Sequence, residues 1–243
     1  MKKMKTTFAT FFVCAAAAAP AYAQQLQWTD KAFVTANVGV QAGSHSLNST
    51  QTFTLYDEPA SVASALKVKS APFFDVGFGY KVWHNVAAGV VFSRASSDSN
   101  VALAASIPDP IFFDRPRAVA AAASGAKHSE NALHLNATYM MPVTDKVDVG
   151  IFAGPSIYFV KQDLVTAIRV SEPGPTVQTP TFTSESKTTA GVNFGVDATY
   201  LLDKKWGVGG TARYAWASAK LGGSSEKLTV GGFQIGGGVR YRF

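Results

Sequence analysis

The sequence ends with FQIGGGVRYRF, residues 233–243, and the side chains of this stretch alternate in character up to the last residue. One face carries large apolar residues: Phe233, Ile235, Val239, Tyr241 and Phe243. The other face carries polar or small residues: Gln234, Gly236, Gly238, Arg240 and Arg242. A closed barrel in lipid has two such faces, because its apolar side chains point outward to the lipid and its polar or small side chains point into the interior. Closure of the barrel pairs every backbone group between strands. A half-buried strand of a soluble sandwich has the same period of two, but it would seldom end a chain in this way.

The first 23 residues have the features of a secretory signal peptide. Three lysines precede an apolar run, residues 8–19, and Ala21-Tyr22-Ala23 forms a small-x-small cleavage site. We expect residues 1–23 to be removed on export and residues 24–243 to form one barrel domain. The removed segment contains the single cysteine, Cys14, and three of the 22 basic residues, so the formal net charge falls from +6 to +3. A mature chain of this kind cannot be a disulfide scaffold or a thiol enzyme, and its weak charge argues against nucleic-acid binding.

The same alternation occurs eight times along the chain. Each stretch is close to the roughly 9 to 11 residues that a tilted strand needs to cross hydrocarbon. The stretches are about 32–41, 73–83, 86–93, 133–141, 147–159, 192–202, 206–216 and 233–243. Tight turns at 84–85, 142–146 and 203–205 alternate with long connections at about 42–72, 95–130, 161–187 and 218–227. Short periplasmic turns and long extracellular loops are typical of outer-membrane barrels. The predicted fold class is therefore all-β, a membrane-spanning antiparallel up-and-down barrel of eight strands.

With these residues in view, the chain resembles the small eight-stranded outer-membrane barrels, of the OmpA transmembrane domain, OmpX and opacity-protein type. The resemblance covers nearly all of the mature chain, but it carries no functional motif at the level of single residues. It implies the outer membrane of a Gram-negative bacterium, with membrane lipid and lipopolysaccharide as surroundings. It also implies that the barrel assembly machinery recognises a C-terminal signal, here Tyr241 and Phe243.

The predicted interior is charged. An eight-stranded barrel is just wide enough for its own inward side chains to fill it. Because charges removed from water must pair, we expect an internal network of ion pairs rather than a conducting pore. The network is predicted to consist of Asp75, Lys81, Asp148, Asp197, Arg213, Arg240 and Arg242. Asp197 and Arg213 lie almost symmetrically about the 203–205 turn, so they are predicted to be near-opposite or diagonal cross-strand neighbours and to form an ion pair.

Enzymatic chemistry is the weaker hypothesis. Some eight-stranded barrels modify lipid A with a histidine, a serine and a carboxylate at the outer membrane boundary, and His128, Ser129 and Glu130 are the candidates here. Adjacent residues of a strand point to opposite faces, so His128 could not activate Ser129, and we expect a histidine at the rim or in a loop. The sequence predicts no catalytic, cofactor-binding or metal site, and no cofactor.

The second long connection contains an unusual cluster, Ile111, Phe112 and Phe113 followed by Arg115 and Arg117. An exposed cluster of aromatic and arginine side chains can anchor a surface or host ligand. The alternatives are that it folds back on neighbouring loops or the barrel mouth, or that it binds lipopolysaccharide phosphates. The predicted function is a plugged barrel with a structural or adhesin-like role through its loops. A narrow pore for small solutes is the second hypothesis, and a lipid A-modifying enzyme is the third.

Overall fold

The computed structural model describes residues 27–42, 45–172, 175–178, 180–220 and 227–243. The predicted signal peptide, residues 1–23, lies outside these ranges. The described chain forms twelve strands, whose bounds are β1 Ala32–Ala42, β2 His45–Leu55, β3 Glu58–Val68, β4 Ala71–Trp83, β5 Val86–Ile107, β6 Arg117–Thr144, β7 Val147–Ala167, β8 Val170–Ser171, β9 Thr176–Val177, β10 Thr181–Leu201, β11 Trp206–Lys220 and β12 Lys227–Arg242. Within these ranges the structure has no helix that is long and apolar enough to cross a membrane.

Eight of the strands close into a ring. The hydrogen-bonded order is β5-β4-β1-β12-β11-β10-β7-β6, and the pairing of β5 with β6 closes it. All of these pairs are antiparallel. The predicted eight-stranded antiparallel barrel is therefore confirmed, and the three short turns join the predicted strand pairs.

The two faces of the ring follow the predicted alternation. On β4, Phe74, Phe78 and Tyr80 point outward and are about half exposed, whereas Asp75 is 1% exposed. Aromatic side chains lie on the outside at the ends that carry the short turns, among them Trp83, Tyr139, Tyr200 and Trp206. An apolar outer band with aromatic residues at its edge is the surface that a barrel presents to lipid.

The strands are much longer than the sequence predicts. β5 and β6 pair up to Ile107 and Arg117, so most of the predicted loop 95–130 is strand and only residues 108–116 form its end. The predicted loop 161–187 is likewise occupied by the extended ends of β7 and β10, and its remaining part contains β8 and β9. The third long connection was predicted to extend its hairpin at both ends, and it does. The extent of β5 and β6 was not predicted, because residues 118–123 are almost all alanine and the contrast between their two faces is low.

The first long connection is also ordered. It forms the hairpin β2–β3, and β3 pairs with the upper part of β5, from Ser61 opposite Ser106 to Lys67 opposite Asn100. β3 therefore takes the place beside β5 that β4 holds lower down.

The extracellular part of the barrel has an apolar interior. We call this group the extracellular core: Ala60, Val62, Leu66, Val101, Leu103, Ala105, Ile107, Val119, Ala126, Ala132, Tyr158, Val160, Leu164, Val165, Ala215, Ala217, Ala219, Leu228 and Val230. Side chains of the β2–β3 hairpin, such as Val62 and Leu66, pack against residues from the ring strands. The hairpin thus continues the barrel wall on the extracellular side, with one face of β3 in the extracellular core and the other face exposed. The buried apolar area stabilises strands that extend beyond the membrane.

Candidate functional site

A continuous chain of side-chain hydrogen bonds fills the membrane part of the barrel. We call it the polar column, and its members are His128, Glu130, Gln41, Gln234, Arg213, Asp75, Asn37, Arg240 and Asp197. They come from β6, β1, β12, β11, β4 and β10, so six of the eight ring strands contribute. All except Asp197 are buried, and buried polar groups are stable only when they are hydrogen-bonded.

The upper part of the polar column centres on Glu130. One carboxylate oxygen of Glu130 lies 2.8 Å from Nε2 of His128. The other accepts hydrogen bonds from the side-chain amide of Gln41, at 2.9 Å, and from the backbone N–H of Gly231, at 3.0 Å. Gly231 has a φ of 92°, and an added Cβ would lie 2.4 Å from the Ala215 carbonyl oxygen, so only glycine fits this position. Gln234 then donates to Gln41 at 2.7 Å and continues the column downward.

The lower part of the polar column carries the charges. Arg213 donates to Gln234 at 3.1 Å and to Asp75 at 3.2 Å. Asn37 donates to the second oxygen of Asp75 and accepts from Arg240, both at 2.7 Å. Arg240 in turn binds both oxygens of Asp197, at 3.1 and 2.5 Å. Both guanidinium groups are almost completely buried, so their positive charges are compensated by carboxylates inside the barrel.

The partner predicted for Asp197 is wrong. Asp197 lies opposite Thr211, and Arg213 lies opposite Gly195, so Asp197 and Arg213 are diagonal neighbours as the sequence indicated. Their charges nevertheless pair elsewhere, Arg213 with Asp75 on β4 and Asp197 with Arg240 on β12. β11 and β4 are three strands apart in the ring. The lumen is so narrow that an arginine reaches the opposite wall as easily as its neighbour on the same wall.

The periplasmic end contains the remaining predicted charges. Arg242 forms ion pairs with Asp148 and, at 3.2 Å, with Asp30. Lys81, which was predicted to join the ion pairs, donates its hydrogen bond to the backbone carbonyl of Trp28. Its ammonium also lies 5.7 Å from the centre of the Trp28 ring. Lys81 therefore holds the N-terminal segment in the barrel.

Trp28 was not among the predicted site residues. Its side chain is 2% exposed and packs with Phe33, Ala87 and Met140 at the periplasmic mouth. The Trp28 and Phe33 rings meet edge to face, with centroids 5.9 Å apart, and the backbone N–H of Trp28 donates to the side-chain oxygen of Asn85 at 3.2 Å. A tryptophan just before the first strand is a sequence signal, but its inward direction depends on the fold.

A small cavity lies between the lower part of the polar column and the apolar residues around Trp28. Its volume is about 60 Å³, and Asn136, Asp197, Arg213, Arg240 and Arg242 supply polar lining groups. This volume accommodates a few water molecules and is well below the roughly 300 Å³ of a small-molecule pocket.

Two of the three candidate catalytic residues, His128 and Glu130, are buried inside the barrel. His128 is inside the barrel, 3% exposed, with its Nδ1 2.7 Å from Gln162, so the expected rim position was wrong. Ser129, the next residue on β6, is on the other face, as predicted. His134 lies 3.0 Å from the Ser93 hydroxyl and 2.7 Å from that of Ser156, but its side chain is 0% exposed. These contacts satisfy buried polar groups and offer no route for a substrate.

The cluster in the second long connection lies at the end of the longest hairpin. We call Ile111, Phe112 and Phe113 the apolar tip. Their side chains are 77%, 55% and 76% exposed, so they do not fold back on neighbouring loops or into the barrel mouth. Arg115 lies over the Phe112 ring, 5.1 Å from its centre.

The backbone that carries the apolar tip is held in place by three carboxylates. Asp109 accepts hydrogen bonds from the N–H groups of Ile111, at 2.9 Å, and Phe112, at 3.2 Å. Glu172 accepts two hydrogen bonds from Arg117, at 3.0 and 2.5 Å, and Glu58 accepts one from the Asp114 N–H, at 3.2 Å. The two backbone donors, Ile111 foremost, hold the pKa of Asp109 below its usual value, and the Arg117 hydrogen bonds lower the pKa of Glu172. The first and third connections therefore support the tip of the second.

The C-terminal residues complete the ring at its periplasmic edge. The Tyr241 ring contacts the rings of Trp206 and Phe243, with centroids 4.7 and 4.8 Å away. The backbone of Phe243 donates to the Ala32 carbonyl and accepts from the Lys31 N–H, both at 2.9 Å. The last residue is thus joined to the first strand.

Comparisons with solved structures find similar folds at low identity. The crystal structure of Neisserial surface protein A is 15% identical, with a TM-score of 0.43, and the match covers 87% of this chain and 97% of that one. The outer membrane protein OprG from Pseudomonas aeruginosa is 11% identical, with a TM-score of 0.47 and coverages of 90% and 98%. The outer membrane protease OmpT from Escherichia coli is 9% identical, with a TM-score of 0.46 and coverages of 90% and 98%. These similarities carry no argument about activity.

Comparison with protein families is decisive. No curated protein matches the sequence. The family model for the outer membrane protein beta-barrel domain matches residues 9–243. The chain therefore belongs to the outer membrane protein beta-barrel domain family, and it is located in the outer membrane of a Gram-negative bacterium, surrounded by lipid and lipopolysaccharide.

Proposed function

We propose that this protein is a closed, non-conducting barrel that holds a rigid extracellular structure for contact with other surfaces, which is a structural and adhesin-like role. The observation that supports it is the filling of the interior by three successive layers. Trp28 and its apolar neighbours occupy the periplasmic mouth, the polar column occupies the membrane part, and the extracellular core occupies the rest.

A conducting pore requires a continuous water-filled path. The charged side chains of the polar column and of the periplasmic end are paired with one another, so they do not form a lining of a single sign that would attract ions. Opening a path would require at least one buried ion pair to break, and this leaves an uncompensated charge at a cost of about 3–5 kcal/mol. The extracellular core would have to open as well.

An enzymatic role receives no support from the site. His134 and its two serine neighbours are enclosed by the barrel wall, and His128 and Ser129 point to opposite sides of that wall. A lipid substrate would have to reach a histidine and a nucleophile together, and these pairs do not allow it. The chain is therefore proposed not to be an enzyme.

The extracellular structure supports a role in contact. Strands that only cross a membrane need about 9 to 11 residues, whereas β5 has 22 and β6 has 28. The additional length raises the apolar tip above the lipid and connects it to the neighbouring hairpins. A fixed surface of this kind binds with little loss of conformational entropy.

Conductance measurements test the closed barrel. We expect the refolded full-length protein, inserted into planar bilayers, to give no discrete current steps in concentrated potassium chloride. Correct insertion is checked by the heat-modifiable mobility of the same sample. Regular steps from the unmodified protein would overturn the proposal in favour of a narrow pore for small solutes.

We also propose that Tyr241 and Phe243 form the signal recognised by the barrel assembly machinery. Replacing Phe243 by Asp removes the terminal aromatic side chain but keeps the backbone length that joins β12 to β1. We expect the amount of folded protein in the outer membrane to fall severalfold, while refolding of the purified chain in detergent changes little. The matched control is Phe233→Asp, an outward-facing phenylalanine within β12. Normal outer-membrane levels of the Phe243→Asp protein would exclude this signal.

A further inference from the structure

We propose that the apolar tip inserts into the zwitterionic lipid of an opposing membrane. This inference rests on the proposed function, because it specifies which kind of surface the extracellular structure contacts. It follows from the exposure, hydrogen bonding, charge and height of the tip.

The apolar tip is an uninterrupted run of exposed apolar residues at the end of a hairpin. Three large apolar residues follow one another in sequence, and each exposes more than half of its side chain at the end of the β5–β6 hairpin. Exposed apolar groups of this kind on soluble surfaces usually mark interaction sites. A protruding apolar surface offers no groove to a partner peptide segment. A lipid surface, in contrast, can deform around it.

The hydrogen bonding of the tip suits an apolar medium. Backbone N–H groups that enter lipid without a partner are strongly unfavourable. Here the N–H groups of Ile111 and Phe112 are bonded to Asp109, and that of Asp114 is bonded to Glu58. These donors would keep their partners when the side chains leave water.

The charges around the tip determine which lipid headgroups it can approach. The segment 108–117 that carries the tip contains Asp109 and Asp114 and is hydrogen-bonded to Glu58 and Glu172, which makes four carboxylates. Two guanidinium groups, Arg115 and Arg117, belong to the same segment. Arg117 is engaged by Glu172 and by the carbonyl of Pro108. The surplus of negative charge disfavours anionic lipid, which attracts basic segments. A zwitterionic surface has no such repulsion.

The height of the tip places it beyond its own membrane. Phe92 is the last large apolar side chain on the outer face of β5, and the strand continues to Ile107. At ~3.3 Å per residue and a tilt of about 40°, this length raises the end of the strand by ~40 Å. The lipid that the tip meets must therefore belong to another membrane.

Vesicle binding tests the inference. The full-length protein is placed in nanodiscs, so that its own lipid is separate, and is mixed with vesicles of phosphatidylcholine alone or of phosphatidylcholine with one quarter phosphatidylglycerol. We expect flotation with the first and weaker flotation with the second, with the difference reduced at high salt. The double variant Ile111→Ser/Phe113→Ser is expected to bind roughly 100-fold more weakly, since burial of each apolar side chain contributes about tenfold or more.

Two further variants sharpen the test. Ala102→Ser/Ala104→Ser changes exposed outward residues of β5 and is expected to bind as the unmodified protein does. Asp109→Ala keeps every apolar atom of the tip but removes the acceptor of two N–H groups, and it is expected to bind severalfold more weakly. A double variant that floats as well as the unmodified protein, or stronger binding to the anionic vesicles, would overturn the inference.

The inference and the proposed function fail in different ways. Absence of binding to phosphatidylcholine vesicles overturns the inference. If the same protein still adheres to cells and loses this adhesion when residues 108–116 are replaced by Asn-Gly, the contact is with a protein and the proposed function stands. Conductance by the unmodified protein would instead overturn the closed barrel.

Discussion

The membrane part and the extracellular part of this barrel are built from the same strands, but their interiors are of opposite character. On β5, Phe92 faces outward and Ser93 is buried, whereas farther along the strand Asn100 is exposed and Val101 is buried. Lipid surrounds the lower part and water the upper part, so the apolar side chains turn outward in one and inward in the other. A single strand can therefore carry two patterns of opposite phase, and the position of the change marks the membrane boundary.

The largest expected effect comes from the polar interior. Arg213→Ala leaves the buried Asp75 carboxylate without its ion-pair partner, and we expect a loss of about 3–5 kcal/mol in the free energy of unfolding. Urea unfolding of the barrel in lipid vesicles measures it. A double-mutant cycle should give coupling of Arg213 with Asp75, and of Arg240 with Asp197. Coupling of Arg213 with Asp197 instead would show that the pairs across the lumen are wrongly assigned.

A somewhat smaller effect is expected in the apolar interior. Leu228 is completely buried in the extracellular core, so Leu228→Ala should lower the free energy of unfolding by about 2–4 kcal/mol. The control is Thr188→Ala, an exposed position on β10 that should change stability by less than about 0.5 kcal/mol. Salt should not change the Leu228 effect, because no charge is removed. Equal values for the two variants would mean that this part of the barrel is not packed.

The smallest effect is expected at the surface, and it depends on pH. Asp109 and Glu172 have lowered pKa values in the folded protein, so their contribution is present above their unfolded pKa values and is lost as the pH falls through the folded ones. Amide hydrogen exchange near Ile111 and Phe112 should therefore be less protected in acid than expected from the chemical exchange rate alone. Asp109→Asn should remove most of this pH dependence. An unchanged pH profile in that variant would contradict the role of the Asp109 carboxylate.

Much of the site could be predicted, and the omissions have physical causes. The inward direction of Asp75, Arg213 and Arg240 follows from alternation along each strand, which is a local property. His128 and Glu130 were assigned to a loop region because the surrounding residues 118–126 are mostly alanine and have little contrast between faces. Gln234 was placed inward, but nothing in the sequence indicated that its amide, together with those of Asn37 and Gln41, connects the charges.

The sequence by itself determined the number of ring strands, their faces, and the strands that each short turn joins. These follow from a period of two and from the solvent on each side, and both can be found within a single strand. Only the tertiary structure decided that Arg213 meets Asp75, that the β2–β3 hairpin continues the barrel wall beside β5, and that Glu58 and Glu172 hold the apolar tip. Each of these contacts joins strands that are distant in sequence, and closure of the ring brings them within a few ångströms of each other.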